Sequence, residues 1–174
     1  MILDSRLIFA WQQAYTAAAA TAYSASTTPA SQGVLDLGTV PTSTNSAITN
    51  PNRNIGVGTM KLYLVVLCTL AMTDIGSDST ATPSLRTSAT ITGAIGTNPA
   101  LNGTVNTLQT LPAFAALSAI GTMLVAPLVP ATYLQYIDVY MTMANGNLTT
   151  GSFSSWLATD VDLQTYYAEG FNPQ

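Results

Sequence analysis

Residues 132–158 read TYLQYIDVYMTMANGNLTTGSFSSWLA, and this stretch decides the fold class. Across residues 132–143, Tyr133, Gln135, Ile137, Val139 and Met141 fall on one face of an extended chain. Leu134, Tyr136, Asp138 and Tyr140 fall on the other. A period of two in residues rich in Tyr, Val, Ile and Thr is the pattern of a half-buried strand. Ala144-Asn145-Gly146-Asn147 supplies an Asn-Gly turn signal. Residues 151–162 then return, with Phe153, Ser155 and Leu157 alternating against Ser154, Trp156 and Ala158. The expectation is a β-hairpin with one face in a core.

The same reading extends outward. Residues 6–15 alternate and predict a first strand, and Val34-Leu35-Asp36-Leu37 a short one ended by Gly38. Residues 60–72 form a continuous apolar run bounded by turn residues, which predicts a strand buried on both faces. Residues 74–84 read as a turn-rich connection, 85–92 as a strand, 93–103 as a loop, 104–111 as a further strand, and 122–126 as a strand closed by Pro127 and Pro130. The Ala17–Ala20 run is helical by propensity, but its Thr/Ser-rich flanks favour extended structure. Residues 39–58 are Thr, Asn, Pro and Gly-rich without a period, as in a long loop. About eight short strands and no long amphipathic helix predict an all-β, single-domain jelly roll or β-sandwich with long Thr/Asn/Pro-rich loops. No repeat or internal boundary is visible, so residues 1–162 are read as the domain and 163–174 as a C-terminal tail or interaction arm.

Composition narrows the function. Of 174 residues 48% are hydrophobic and 7% charged, against about 25% charged in an ordinary soluble domain. With no His and one Cys, the chain has no disulfide framework, no Cys/His zinc site and no Ser-His or Cys-His nucleophile pair. Arg6, Arg53, Lys61 and Arg86 are the only basic residues. They cannot assemble a phosphate-neutralising face, so no nucleic-acid partner is expected. Scarce charge suits either a surface largely covered by partners or a neutral secreted β-domain, since desolvating charge at an interface is costly.

Two stretches imitate membrane segments. Residues 62–72 are too short for a span of about 20 apolar residues. Residues 111–129 are long enough, but Pro112, Gly121 and Pro127 interrupt them and no Lys or Arg flanks them. They are read as turn-like or helical up to Ile120 and then as a strand, and no membrane partner is expected. The N-terminus has no basic n-region, and Asp4 and Arg6 precede the apolar Leu7-Ile8-Phe9, so no cleaved signal peptide is expected.

Candidate chemistry is thin. Asp160 and Asp162, two apart, would share a strand face and with Glu169 offer oxygens to calcium. Calcium loops recruit more ligands than these three, which favours a solvated strand end. Asp36 and Asp138 sit inside strand patterns, where paired carboxylates could serve glycoside hydrolysis or, more commonly, bind turns and protect sheet edges. Cys68 reads as an inert core thiol. Tyr15, Tyr23, Tyr133, Tyr136, Tyr140, Tyr166, Tyr167, Trp11 and Trp156 suit a sugar-stacking platform, a core or an interface equally. Asn102-Gly103-Thr104 and Asn147-Leu148-Thr149 match the glycosylation acceptor pattern and are read as chance matches. No catalytic residue, cofactor or metal site is expected, and the chain is read as a non-enzyme.

Several segments together carry a resemblance. In order they are Met1-Ile2-Leu3-Asp4 with Leu7-Ile8-Phe9, Val34-Leu35-Asp36-Leu37-Gly38, and Asn54-Ile55-Gly56-Val57-Gly58 leading into Leu62-Tyr63-Leu64-Val65-Val66. Ser84-Leu85-Arg86-Thr87-Ser88, Leu124-Val125-Ala126-Pro127-Leu128, Tyr133-Leu134-Gln135-Tyr136 and Thr150-Gly151-Ser152-Phe153-Ser154-Ser155-Trp156-Leu157 follow. This layout resembles the Bbp16-like capsid cement (decoration) protein family of tailed bacteriophages. The loop at residues 39–53 is longer than the family pattern, and residues after Asp162 look like an addition.

The resemblance implies a jelly-roll structural protein of the virion. It would self-associate as a homodimer or homotrimer on the outer surface of an icosahedral shell of HK97-type major capsid proteins. Tyr166, Tyr167 and Phe171 are the hypothesised interface anchors, and deleting residues 163–174 is then expected to lower occupancy on the capsid, measured on purified particles. The alternative is a carbohydrate- or receptor-binding β-sandwich module of a virion, using its Tyr and Trp residues.

Overall fold

Alternating side chains with few charges leave the chain one economical way to hide its apolar faces, which is sheet against sheet. The computed structural model describes residues 8–14, 33–37, 62–74, 76, 78–94, 99–129, 131, 133–146 and 148–158. Among them are ten strands and no helix: β1 (Ile8–Ala14), β2 (Val34–Asp36), β3 (Tyr63–Asp74), β4 (Thr80–Ser88), β5 (Thr90–Thr92), β6 (Ala100–Asn102), β7 (Asn106–Thr110), β8 (Met123–Pro127), β9 (Tyr136–Ala144) and β10 (Leu148–Ala158). They form two four-stranded antiparallel sheets, ordered β1-β10-β3-β8 and β2-β9-β4-β7, with β5-β6 as a separate hairpin. The protein is an all-β sandwich.

The core between the sheets follows the period of two. Phe9, Leu64, Val66, Cys68, Phe153 and Leu157 of the first sheet meet Leu35, Ala81, Leu85, Ile137, Val139, Met141 and Met143 of the second. The strands β9 and β10 lie where expected, but they do not form the expected hairpin. β9 pairs with β2 and β4 in the second sheet and β10 with β1 and β3 in the first, so the Asn-Gly turn carries the chain from one sheet to the other. Asn145 adopts φ 65° and Gly146 φ 145°, positions open to Asn and Gly. A Cβ at Gly146 would also lie 2.9 Å from Ser79 Oγ.

The middle of the first sheet, along β3 and β10, is buried on both faces, as expected for the apolar run of β3. Ile8, Val65, Leu67, Trp156 and Ala158 form a second cluster on its outer side. The register explains the row: Ile8 stands opposite Trp156, Trp156 opposite Val65, and Val65 opposite Val125. The second sheet instead turns Thr, Ser, Tyr and one ion pair outward.

Several boundaries differ from the sequence reading, and residues 85–92, expected as one strand, divide at Ala89 between β4 and β5, which lie in different sheets. Residues 80–84, expected as connection, belong to β4, a central strand containing Pro83. Proline is normally kept to sheet edges because it cannot donate. Here its nitrogen faces past the end of β7, toward residues 111–114, while its carbonyl accepts the Leu111 N–H at 2.9 Å. The apolar run expected to end at residue 72 continues to Asp74. Within the expected loop 93–103, Ala100–Asn102 form β6, held to β5 by Thr90 Oγ1 donating to the Asn102 carbonyl at 2.9 Å. The expected loop at residues 39–58, the Ala17–Ala20 run and the tail 163–174 lie outside the described residues.

Candidate functional site

Two surface regions depart from a generic sandwich. The first is the outer face of the second sheet. Arg86 on β4 and Asp138 on β9 are register partners, and the guanidinium grips the carboxylate through two bonds. Arg86 Nε donates to Asp138 Oδ1 at 3.0 Å and Nη2 to Oδ2 at 2.6 Å. The Asp138 side chain is 0% exposed and that of Arg86 15%. The guanidinium also lies 3.4 Å from the centroid of the Tyr140 ring, a cation–π contact that fixes its plane. Burial pushes the Asp138 carboxyl above its usual range, while the hydrogen bonds and charge of Arg86 pull it back in part. Above the pair lies a 310 Å³ cleft lined by Thr82, Ser84, Thr107, Thr110, Tyr140 and Thr142 among others.

The sequence left open whether Asp36 and Asp138 share a face. Asp36 stands opposite Tyr136 and Val34 opposite Asp138, so both carboxylates do lie on this outer face. Their partners differ: Asp138 binds Arg86, and Asp36 Oδ1 accepts from Gln135 Nε2 at 3.2 Å.

The second region is the margin of the first sheet around residues 111–129, and it begins from the charge distribution. Between Arg86 and Asp138 the chain contains no Asp, Glu, Lys or Arg. Within that run Leu111 and Phe114 plunge into the core, where the Phe114 and Phe153 ring centroids are 4.9 Å apart. Phe114 and Ala81 exchange backbone hydrogen bonds in both directions, at 2.8 and 3.1 Å. Two turns follow in tandem, closed by Ser118 N–H to Ala115 carbonyl and Thr122 N–H to Ala119 carbonyl, each at 3.1 Å.

Each turn needs a positive φ at its third position. Gly121 supplies it in the second turn at φ 88°, but in the first the position is Leu117 at φ 61°. A leucine there costs on the order of 1 kcal/mol that glycine would not. The strained side chain is not repaid by burial, since Leu117 and Ile120 are each 58% exposed. Met72 N–H donates to Ser118 O and Gly121 N–H to Cys68 O, so the turns lie against the part of β3 that carries Leu70, itself 49% exposed. Three exposed apolar side chains, Leu70, Leu117 and Ile120, thus stand on an uncharged rim whose backbone is hydrogen-bonded to β3.

The remaining sequence candidates separate clearly. Tyr133 and Trp156 are buried, which removes them from any sugar platform, and Tyr133 hydroxyl donates to the Val129 carbonyl at 2.8 Å. Burial pushes the Cys68 thiol pKa up, as befits a core thiol. Tyr136 and Tyr140 are half-buried on the second sheet. Tyr166, Tyr167, Phe171, Asp160, Asp162, Glu169, Tyr15 and Tyr23 lie outside the described residues, as does the side chain of Trp11. The sequence reading of residues 111–129, an interrupted apolar stretch that is turn-like or helical up to Ile120 and then a strand, does not say which of its apolar side chains are displayed. The signal was present in the paired turns Ala115-Ala116-Leu117-Ser118 and Ala119-Ile120-Gly121-Thr122. Among the described residues no helix is long and apolar enough to cross a membrane, and no group of three metal-ligating side chains occurs. No family model and no curated protein matches the chain, so a functional reading rests on its own residues and geometry.

Proposed function

We propose that the protein is a bacteriophage capsid cement, or decoration, protein. It binds the outer surface of an HK97-type shell and bridges major capsid protein subunits. The observation that carries this reading is the set of exposed apolar side chains, Leu70, Leu117 and Ile120, on an uncharged rim whose backbone is hydrogen-bonded to β3. Preformed apolar anchors lose little entropy on binding. A surface without charges desolvates cheaply and is scarcely weakened by salt. A cement protein needs no chemistry. It adds buried area across joints between capsomers, about 1,600 Å² for a standard interface, and symmetric repetition multiplies the effect. The strand orders of the two sheets, with β5-β6 as an inserted hairpin, support the jelly-roll form of the sandwich.

The direct test is electron cryomicroscopy of particles that carry the protein. Regular copies across the outer shell, touching capsid subunits through residues 112–121, are expected. Density confined to the tail, or none, overturns the reading. Leu117→Gly separates function from folding: stability should hold or rise by about 1 kcal/mol as the strain is relieved. Capsid occupancy should fall, by more than about tenfold when Ile120→Asp is added, since each buried aliphatic anchor is worth about 1.5–3 kcal/mol.

A further inference from the structure

The outer face of the second sheet gathers hydrogen-bonding groups that the fold itself leaves unused. On β4, Thr82, Ser84 and Arg86 are two apart and share this face. Thr142 stands opposite Thr82, while Tyr140 and Thr110 flank Ser84 on either side. Thr107 and Thr110 are three apart, so a regular strand would turn them to opposite faces. The register shift between Leu85 and Arg86 sets Thr107 opposite Arg86 instead. Both threonines therefore line the 310 Å³ cleft, while Leu108 between them packs against the core. Re-aiming a side chain toward a site is a common use of a bulge.

Among the described residues, none exchanges a hydrogen bond with the hydroxyls of Thr82, Thr107, Thr110 or Thr142. The guanidinium is engaged along one edge only. Its Nε and Nη2 hold Asp138, and Nη1 has no acceptor among the described residues. Asp138 and the Tyr140 ring fix its plane, so these donors are preorganised.

Charge narrows the ligand. An anion would meet a guanidinium already matched by Asp138, on a chain of net charge −4. A cation would find no carboxylate, because the Asp138 side chain is 0% exposed and no lining residue is acidic. An apolar anchor would meet Thr and Ser where it needs aliphatic walls. An uncharged molecule rich in hydroxyls fits, since hydroxyls on both sides can donate and accept. The volume of 310 Å³ is at the small end of ligand sites, about 300–1,000 Å³.

We infer that this cleft binds a neutral saccharide, held by Thr82, Thr107, Thr110, Thr142 and the unused edge of Arg86. It is not a stacking platform of Tyr and Trp. Tyr133 and Trp156 are buried, and Arg86 covers one face of the Tyr140 ring, so hydrogen bonds carry recognition. The cleft lies on the second sheet, away from the exposed rim beside β3, and does not depend on the capsid reading.

The test is a titration of the purified chain followed by backbone amide NMR shifts. The probes are glucose, galactose, mannose, N-acetylglucosamine and their β-linked disaccharides, with glucuronic and N-acetylneuraminic acids as charged counterparts. At least one neutral sugar should bind, with shifts concentrated at residues 82–86, 105–110 and 140–142. Thr107→Val combined with Thr142→Val removes two exposed hydroxyls at nearly constant volume. Affinity should fall at least about tenfold with an unchanged melting temperature. Thr92→Val, exposed on β5 outside the cleft, should bind as the wild type does. Binding of the acidic sugars alone, shifts centred elsewhere, or an affinity indifferent to the double variant overturns the proposal. So does the absence of binding by every sugar, which leaves the cleft to a polar loop of another protein.

Discussion

Asp138→Ala will destabilise the domain by about 3–5 kcal/mol, read as a shift in the midpoint of denaturant unfolding. The carboxylate is inaccessible to water and both its oxygens are held by Arg86. Removing it leaves a guanidinium that is 15% exposed with its counter-charge gone. The pair itself contributes little net stability, because burying two charges costs nearly what their attraction returns. Arg86→Met combined with Asp138→Leu should therefore recover most of the loss. A single-variant loss below about 1 kcal/mol would place the pair with ordinary solvated ion pairs, and a double variant no better than the single would mean its role is steric.

The pH dependence follows from the direction of the Asp138 shift. Its pKa in the folded protein lies above the unfolded value, chiefly through burial. The folded state thus binds this proton more readily than the unfolded chain. The contribution is fully present below the ordinary Asp range of about 3.9 and is lost as pH rises through the folded value. Melting temperature followed on acidification should show the wild type gaining relative to Asp138→Asn. A wild type that loses ground to Asp138→Asn as pH falls would reverse the sign.

The sequence disclosed what is local. The alternation of residues 132–143 and the apolar run of β3 depend on neighbours within a few positions, and these strands appear where their patterns lie. The Asn-Gly turn is also in place, but which strands pair across it is not local, and it joins the two sheets instead of closing a hairpin. What escaped was set by partners distant in the chain. Residues 80–84 read as connection, and the Pro83 they contain is tolerated in a central strand only because of what faces its nitrogen, which the end of β7 decides. Asp138 reads beside Asp36 as a carboxylate inside a strand pattern because nothing local points to Arg86, its partner 52 positions away. The exposed rim was hidden by its composition: Leu117 and Ile120 sit among residues as apolar as Phe114, and hydrophobicity alone cannot distinguish a side chain that anchors the turn from one displayed on it. The positive φ of Leu117 is a property of backbone closure, and no residue type announces it.

Trp156→Ala is expected to be as damaging as the loss of Asp138, at about 3–5 kcal/mol, and it tests the layering of the whole molecule. Trp156 points away from the core between the sheets, so in an ordinary sandwich it would face water and its truncation would cost little. Here it is 1% exposed, between Ile8 on β1 and Val65 on β3, with Val125 beyond. A side chain of this size leaves a cavity its neighbours cannot close, because the paired backbones of β1, β10 and β3 fix their spacing. Trp156→Phe, retaining an aromatic ring, should cost clearly less. If Trp156→Ala changes stability by less than about 1 kcal/mol, the outer face of the first sheet is open in solution and is itself a binding surface. If the large loss is found, that face is closed. Recognition then falls to the two places where the described sandwich still meets water with unusual chemistry, the threonine-lined cleft over Arg86 and the uncharged margin of β8.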